Sequence, residues 1–185
     1  QVIGVDEVGR GPLAGPVVSA AVYFPKGVPD LGLKDSKALT AKARERISAE
    51  LIRTARFSVK GVSAVLIDRI GIEKATGLAM RRAVATLDAP RDAVLLVDGN
   101  RAPDFGRETI LEVKADVSCP SVSAAAILAK VLRDKAMVRL AARYGDYHWH
   151  TNKGYGSKAH RDAILTRGIT AHHRRSFLNK ILAAA

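Results

Sequence analysis

Three aspartates share one placement in this chain: Asp6, Asp98 and Asp116 each stand just beyond an apolar run, at residues 2–5, 93–97 and 109–113. In open α/β sheets the functional crevice lies outside the carboxyl ends of the strands. Neighbouring strands run about 4.8 Å apart, so acids at adjacent ends can converge on one point. Glu7 adjoins Asp6 and can reach the same point. Bare carboxylates so close repel one another and hold protons. A divalent cation removes that repulsion, and hard carboxylate oxygens favour Mg²⁺ or Mn²⁺. Hydrolysis of a phosphodiester needs charge neutralised on both the attacking and the leaving oxygen, which two metal ions about 4 Å apart supply. Each acid alone also has a plainer reading as a turn former or helix cap, and Asp98-Gly99 is an ordinary turn signal.

Gly9-Arg10-Gly11 follows the first acids in one loop. Glycines let backbone approach a ligand and offer it N–H donors. A ribose 2′-hydroxyl both donates and accepts, so such contacts can tell RNA from DNA without reading a base. Arg10 can hold a phosphate or brace the acids, and a tight turn alone also explains the glycines. Lys153-Gly154-Tyr155-Gly156-Ser157 sets an aromatic between glycines. Tyr155 can stack on a base or sugar, or be a buried core ring. Lys34-Asp35-Ser36-Lys37 can carry phosphate-contacting lysines or be only a turn. His172-His173-Arg174-Arg175 reads as a phosphate-facing or solvated patch. His148-Trp149-His150 reads as a surface loop or packing element, because no clear third metal ligand stands nearby. Cys119 reads as a packed thiol.

The 185 residues are 48% hydrophobic and 26% charged, which excludes wholesale disorder and suits one globular domain. Thirty Lys and Arg against eighteen Asp and Glu give a net charge of +12. Residues 133–185 hold eleven of those bases and three acids, a balance of +8, and all five histidines. A basic end on a compact domain points to a polyanion such as nucleic acid, or to a solubilising surface. No run approaches the roughly 20 apolar residues of a membrane span, and the opening lacks a signal-peptide plan. Gln1 is not a start methionine, which leaves room for native residues ahead of it. A single cysteine excludes an internal disulfide and fits a reducing, cytoplasmic setting.

The acids need elements to carry them. Residues 2–5, 17–24, 57–65, 93–97 and 109–113 read as strands. Thr40 is placed to cap a helix over 41–56, where Ile47, Leu51 and Ala55 share a face. Helices are also predicted over 72–87, from Ser118 or Ser121 to about Tyr144, and from Ser157 to Gly168. Early strands followed by strand–helix alternation make an α/β protein with a mixed sheet.

These stretches resemble the ribonuclease HII family. Ile3-Gly4-Val5-Asp6-Glu7-Val8-Gly9-Arg10-Gly11-Pro12 is similar to its opening motif, followed in order by Leu33-Lys34-Asp35-Ser36-Lys37, Val97-Asp98-Gly99 and Lys114-Ala115-Asp116. The likeness continues through residues 121–130, Lys153-Gly154-Tyr155-Gly156, His160 and His173-Arg174-Arg175-Ser176-Phe177. The resemblance implies a ribonuclease H-like mixed sheet flanked by helices, with a catalytic core over 1–145 and a basic helical extension over 146–185. It implies an endonuclease that cuts RNA in RNA–DNA hybrids and 5′ of ribonucleotides embedded in duplex DNA, leaving 3′-hydroxyl and 5′-phosphate ends. Asp6, Glu7, Asp98 and Asp116 then correspond to the catalytic carboxylates that hold two Mg²⁺ or Mn²⁺ ions. Gly9, Arg10 and Gly11 then correspond to the motif that reads the ribose at the RNA–DNA junction and Tyr155 to its junction-sensing tyrosine, and Lys37, from the polar loop, joins them as a substrate-binding candidate. A cytoplasmic monomer away from any membrane is expected. Two departures stand out. Ala115 replaces a usual glycine, harmless unless that backbone needs positive φ, and Val8 stands where alanine is common. Residues 146–152 match poorly and take no role from the resemblance. The rival readings are a non-catalytic nucleic-acid-binding module and a metal-dependent DNA nuclease.

Overall fold

Residues 1–33 and 39–183 are described by the computed structural model. Five strands form one sheet in the order β3-β2-β1-β4-β5: β1 Val2–Val8, β2 Val17–Tyr23, β3 Arg56–Val62, β4 Val94–Asp98 and β5 Thr109–Glu112. β2 runs antiparallel to β1 and β3, whereas β4 runs parallel to β1 and β5. The sheet is therefore mixed, with β1 at its centre. Every residue of β2 is buried, as expected for a strand covered on both faces.

Alternation along the strands divides two cores. Ile3 and Val5 of β1 and Leu95 and Val97 of β4 pack with Met80 and Ala83 of helix α3 (Ile72–Ala85). On the other face Val18, Ala20 and Val22 meet Ile47 and Leu51 of α1 (Ala41–Thr54) and Ile127 and Leu128 of α5 (Pro120–Ala141). The small residues of α5 let it lie directly on β1. A Cβ added at Gly4 would stand 2.1 Å from the Ser121 carbonyl carbon and 2.2 Å from the Val122 nitrogen. Neither backbone atom can yield without lifting the helix. Gly4→Ala is therefore expected to destabilise the fold by about 3 kcal/mol or more, the upper range for overpacking, read as a fall in the urea midpoint. An unchanged midpoint would show that α5 does not sit where described.

Thr40 caps α1 through its hydroxyl, which accepts from the Ala43 N–H at 3.2 Å. The predicted third strand stops at Val62, because Ser63 caps helix α2 (Ala64–Ile70), accepting from the Leu66 N–H at 3.4 Å. The long helix begins neither at Ser118 nor at Ser121. Cys119 precedes it with no side-chain cap, and Pro120 opens its first turn, where a missing N–H costs nothing. It ends at Ala141, short of Tyr144.

Beyond α5 come α6 (Trp149–Asn152), α7 (Lys158–Arg167) and α8 (Asn179–Leu182), preceded by the one-turn helix α4 (Ala115–Ser118) ahead of α5. Ser157 caps α7, accepting from the His160 N–H at 3.2 Å. Trp149, Tyr147, Ile164 and Leu178 bury themselves against Met137 and Ala141 of α5 and Ala14. Of the two readings of 148–150, surface loop or packing element, packing is the one that Trp149 follows, and with Tyr147 it forms the aromatic centre of this cluster. Among the described residues no helix is long and apolar enough to cross a membrane.

Candidate active site

Parallel pairing sets Val5 opposite Val97, so Asp6 and Asp98 follow side by side on adjacent strands. Asp6 is buried; its Oδ1 accepts from the Glu7 N–H at 2.7 Å. Burial holds its carboxyl well above the usual carboxylate range, and the neighbouring Glu7, Asp98 and Asp116 charges push it the same way. Glu7 is also raised, chiefly by burial, while the Arg10 guanidinium at 3.6 Å pulls it back. Asp98 Oδ1 accepts from the Ala115 N–H at 2.9 Å. That bond docks α4 on the end of β4 and brings buried Asp116 to the same region. The chain turns into α4 through Lys114, which takes the left-handed conformation at φ 64°. The positive φ therefore falls at residue 114, and Ala115 carries none of the strain its missing glycine would relieve.

Asp6, Glu7 and Asp116 line a hollow of about 270 Å³, with Arg44 of α1 and Lys130 of α5 on its wall. Lys130 pairs with Asp134 at 3.0 Å. Neither cation was singled out from the sequence. Lys130 had a signal, as the first charge after the uncharged run 120–129. Among the described residues no group of three His, Cys, Asp or Glu forms a ready metal cage. The donor set nonetheless fits a hard divalent cation. It is all carboxylate oxygen, and the repulsion on Asp6 is what a bound cation would relieve.

Gly9 adopts φ +87°, and a Cβ there would meet Arg133 Nε at 2.2 Å. Gly11 has open space around it. Arg10 pairs with Glu7 and with Glu73 of α3, so it braces the acids. Arg174 is buried beneath this loop, and its guanidinium donates to the Gly9, Arg10 and Gly15 carbonyls. Arg133, also buried, donates to Ala14, Pro16 and Lys153 carbonyls. The expected basic patch at 172–175 is thus corrected: His173 and Arg174 are interior, and Arg175 is the exposed cation. Tyr155 is 44% exposed, with the Arg133 guanidinium 5.9 Å from its ring centre. It is a surface ring rather than a core one. Its glycine neighbour Gly154 accepts from the Leu13 N–H at 2.8 Å, tying both loops together. Lys37 lies outside the described residues, as does Lys34-Asp35-Ser36. Cys119 is half-buried, its Sγ 3.2 Å from the Ser121 hydroxyl.

A second hollow of about 530 Å³ adjoins this loop along α3, with Arg10, Lys74, Arg81 and Arg101 on its lining and Glu73 as its acid. Basic surface therefore extends well outside the C-terminal segment.

A mixed five-stranded sheet with flanking helices, and carboxylates at the ends of its adjacent parallel strands, defines a ribonuclease H-like protein. The family model for ribonuclease HII matches residues 3–180. Ribonuclease HII of Cereibacter sphaeroides is 49% identical over 178 residues, covering 95% of this chain and 83% of that protein. Among solved structures, ribonuclease H2 from Pyrococcus horikoshii superposes with a TM-score of 0.83 at 28% identity, over 99% of this chain and 97% of the other. Bst-RNase HIII in complex with Mn²⁺ gives 0.77 at 26% identity, over 100% of this chain and 70% of the other. The chain belongs to the ribonuclease HII family. It is a ribonuclease H hydrolase of a metal-dependent family that cuts the RNA of RNA–DNA hybrids.

Proposed function

We propose that this enzyme also cuts duplex DNA on the 5′ side of embedded ribonucleotides, leaving 3′-hydroxyl and 5′-phosphate ends. The observation that carries this reading is the adjacency of the carboxylates to an open, glycine-flanked loop. Acids that serve phosphodiester hydrolysis stand next to backbone able to approach a sugar. Asp6, Glu7, Asp98 and Asp116 would hold two Mg²⁺ or Mn²⁺ ions. Held by these four carboxylates, such ions would supply charge neutralisation for the attacking and leaving oxygens of the phosphodiester. Asp98 keeps α4, and with it Asp116, against the sheet through the Ala115 N–H. Arg10 holds Glu7 in place. Gly9, Arg10 and Gly11 select the ribose, Tyr155 stacks beside the junction, and Lys37 contacts phosphate. Residues 146–185 act as an extension of the catalytic core that supports Tyr155. The basic linings beside α1, α3 and α5 give the duplex backbone its counter-charge.

Cleavage mapping on matched duplexes with zero, one and several ribonucleotides, with Mg²⁺ or Mn²⁺, tests this. The expected product is a single cut 5′ of a lone ribonucleotide and no cut in all-DNA duplex. Equal cutting of all-DNA duplex would make it a DNA nuclease. EDTA-insensitive binding without any cut would make it a binding module. In the same assay Tyr155→Ala should lower single-ribonucleotide cleavage about tenfold to a hundredfold, the range for losing one base–aromatic stack. Because the ring lies at the surface and in none of the buried apolar clusters, the melting temperature should hardly move. Parallel losses of activity and stability would return Tyr155 to a packing role.

A further inference from the structure

The loop after β1 is held from behind by a buried cation, Arg174. Arg174 Nη2 donates to Gly9 O at 2.6 Å and Gly15 O at 2.9 Å, Nη1 to Arg10 O at 2.8 Å, and Nε to Gly15 O at 3.0 Å. Among the described residues no carboxylate forms an ion pair with it or with Arg133 beside it. A buried charge without an ionic partner is costly. Carbonyl contacts compensate it only in part, and two such guanidiniums stand beneath one short loop.

The planarity of the backbone converts this staple into an outward-facing feature. A trans peptide sets each N–H opposite the carbonyl of the preceding residue, and the described residues contain no cis bond. With the Gly9 and Arg10 carbonyls turned back onto Arg174, the N–H groups of Arg10 and Gly11 point away from the core. Among the described residues neither donates to another backbone group outside the regular elements. The space where a Gly11 side chain would begin is open to 4 Å. Two successive donors therefore point away from the core beside Glu7, with positive charge fixed behind them.

We infer that Arg174 is a positioning residue: by fixing the Gly9 and Arg10 carbonyls it presents the Arg10 and Gly11 N–H pair to a ribose 2′-hydroxyl oxygen, and so sets discrimination between ribose and deoxyribose. This rests on the function proposed above. It assigns a residue some 160 positions from the loop in sequence to the reading of sugar. Arg133 supports the far end of the same loop through Ala14 and Pro16.

Arg174→Lys tests it, because lysine keeps a cation but not the planar fork. Cleavage would be measured on two duplexes that differ only in one sugar, a ribonucleotide or its 2′-fluoro analogue. The ratio of the two rates should fall about tenfold in Arg174→Lys. Backbone order parameters at Arg10 and Gly11 should fall from about 0.85 toward about 0.6, the span from rigid to flexible backbone. An equal loss on both duplexes would overturn the inference and leave Arg174 a general stabiliser. Should Arg174→Lys fail to fold, Gly11→Pro removes one N–H while leaving the staple, and it must lower the same ratio. An unchanged ratio there would overturn the inference equally. If the wild-type enzyme cuts neither duplex, the functional reading fails, and the order parameters still report whether the staple sets the loop.

Discussion

Asp98→Asn is expected to lower cleavage of an RNA–DNA hybrid about 10³-fold or more while leaving the protein folded. The two halves of that expectation come from different atoms. Asparagine keeps a side-chain carbonyl oxygen, which can still accept from the Ala115 N–H now bonded to Oδ1 at 2.9 Å. α4 therefore stays docked, and Asp116 stays where it is. What vanishes is one negative charge from the site proposed to hold divalent cations. Metal stabilisation of transition-state charge supplies several kcal/mol, and about 1.4 kcal/mol corresponds to a tenfold change in rate. Single-turnover cleavage with saturating Mg²⁺ reads the loss, and the melting temperature without metal reads the fold. Wild-type cleavage would remove Asp98 from the chemistry. A collapse in melting temperature would show that its charge, rather than its hydrogen bond, holds α4.

Acid should undo the C-terminal cluster before it undoes the sheet. His160 Nδ1 donates to the Tyr155 carbonyl at 2.9 Å, while its Nε2 accepts from Trp149 Nε1 at 3.0 Å and lies 3.2 Å from His173 Nε2. His173 Nδ1 accepts from the Thr170 N–H at 2.9 Å. Both rings are thus committed as neutral tautomers, and an added proton at either acceptor nitrogen would face another N–H. Burial first, then the neighbouring His160, lowers the His173 pKa from 6.5 to about 4. Between those values the unfolded chain binds a proton that the folded chain refuses. The stability this group contributes is complete above pH 6.5, drains as pH falls toward about 4, and is gone below it. The full span amounts to about 3 kcal/mol. Asp6 works in the opposite sense: its carboxyl is raised by burial, so protonation on acidification relieves a penalty. Comparing wild type with His173→Gln isolates the histidine. The urea midpoint of the wild type should fall more steeply between pH 6.5 and 4.5 than that of the variant. Parallel slopes would show that His173 takes up its proton without strain.

The parts of the fold legible in the sequence are those that local physics decides. Asp6 and Asp98 end apolar runs whose parallel pairing places them side by side, and Thr40 and Ser157 cap the helices they precede. The strand after residue 56 overran into α2 because Ala64-Val65-Leu66-Ile67 continues an apolar run, which reads equally as strand or helix over a short window. Cys119 gave no capping signal because Pro120 needs none. Arg174 and His173 were misread for a deeper reason. Charge counting assigns such residues to solvent, and only tertiary structure reveals that six carbonyls, from Gly9, Arg10, Ala14, Gly15, Pro16 and Lys153, await Arg174 and Arg133. The same limit hid Arg44 and Lys130, which belong to helices read for their apolar faces.

The bond between Arg174 and the Gly9 carbonyl spans 165 positions. Ribosomal synthesis releases β1 early, and the sheet can begin to assemble while residue 174 is still inside the translating machinery. Until that guanidinium emerges, the loop beside Asp6 and Glu7 lacks its clasp. A nascent chain stalled before this point would carry its acids beside a loop not yet clasped, so that loop takes its shape late in translation. Contacts of such long separation also close slowly during refolding.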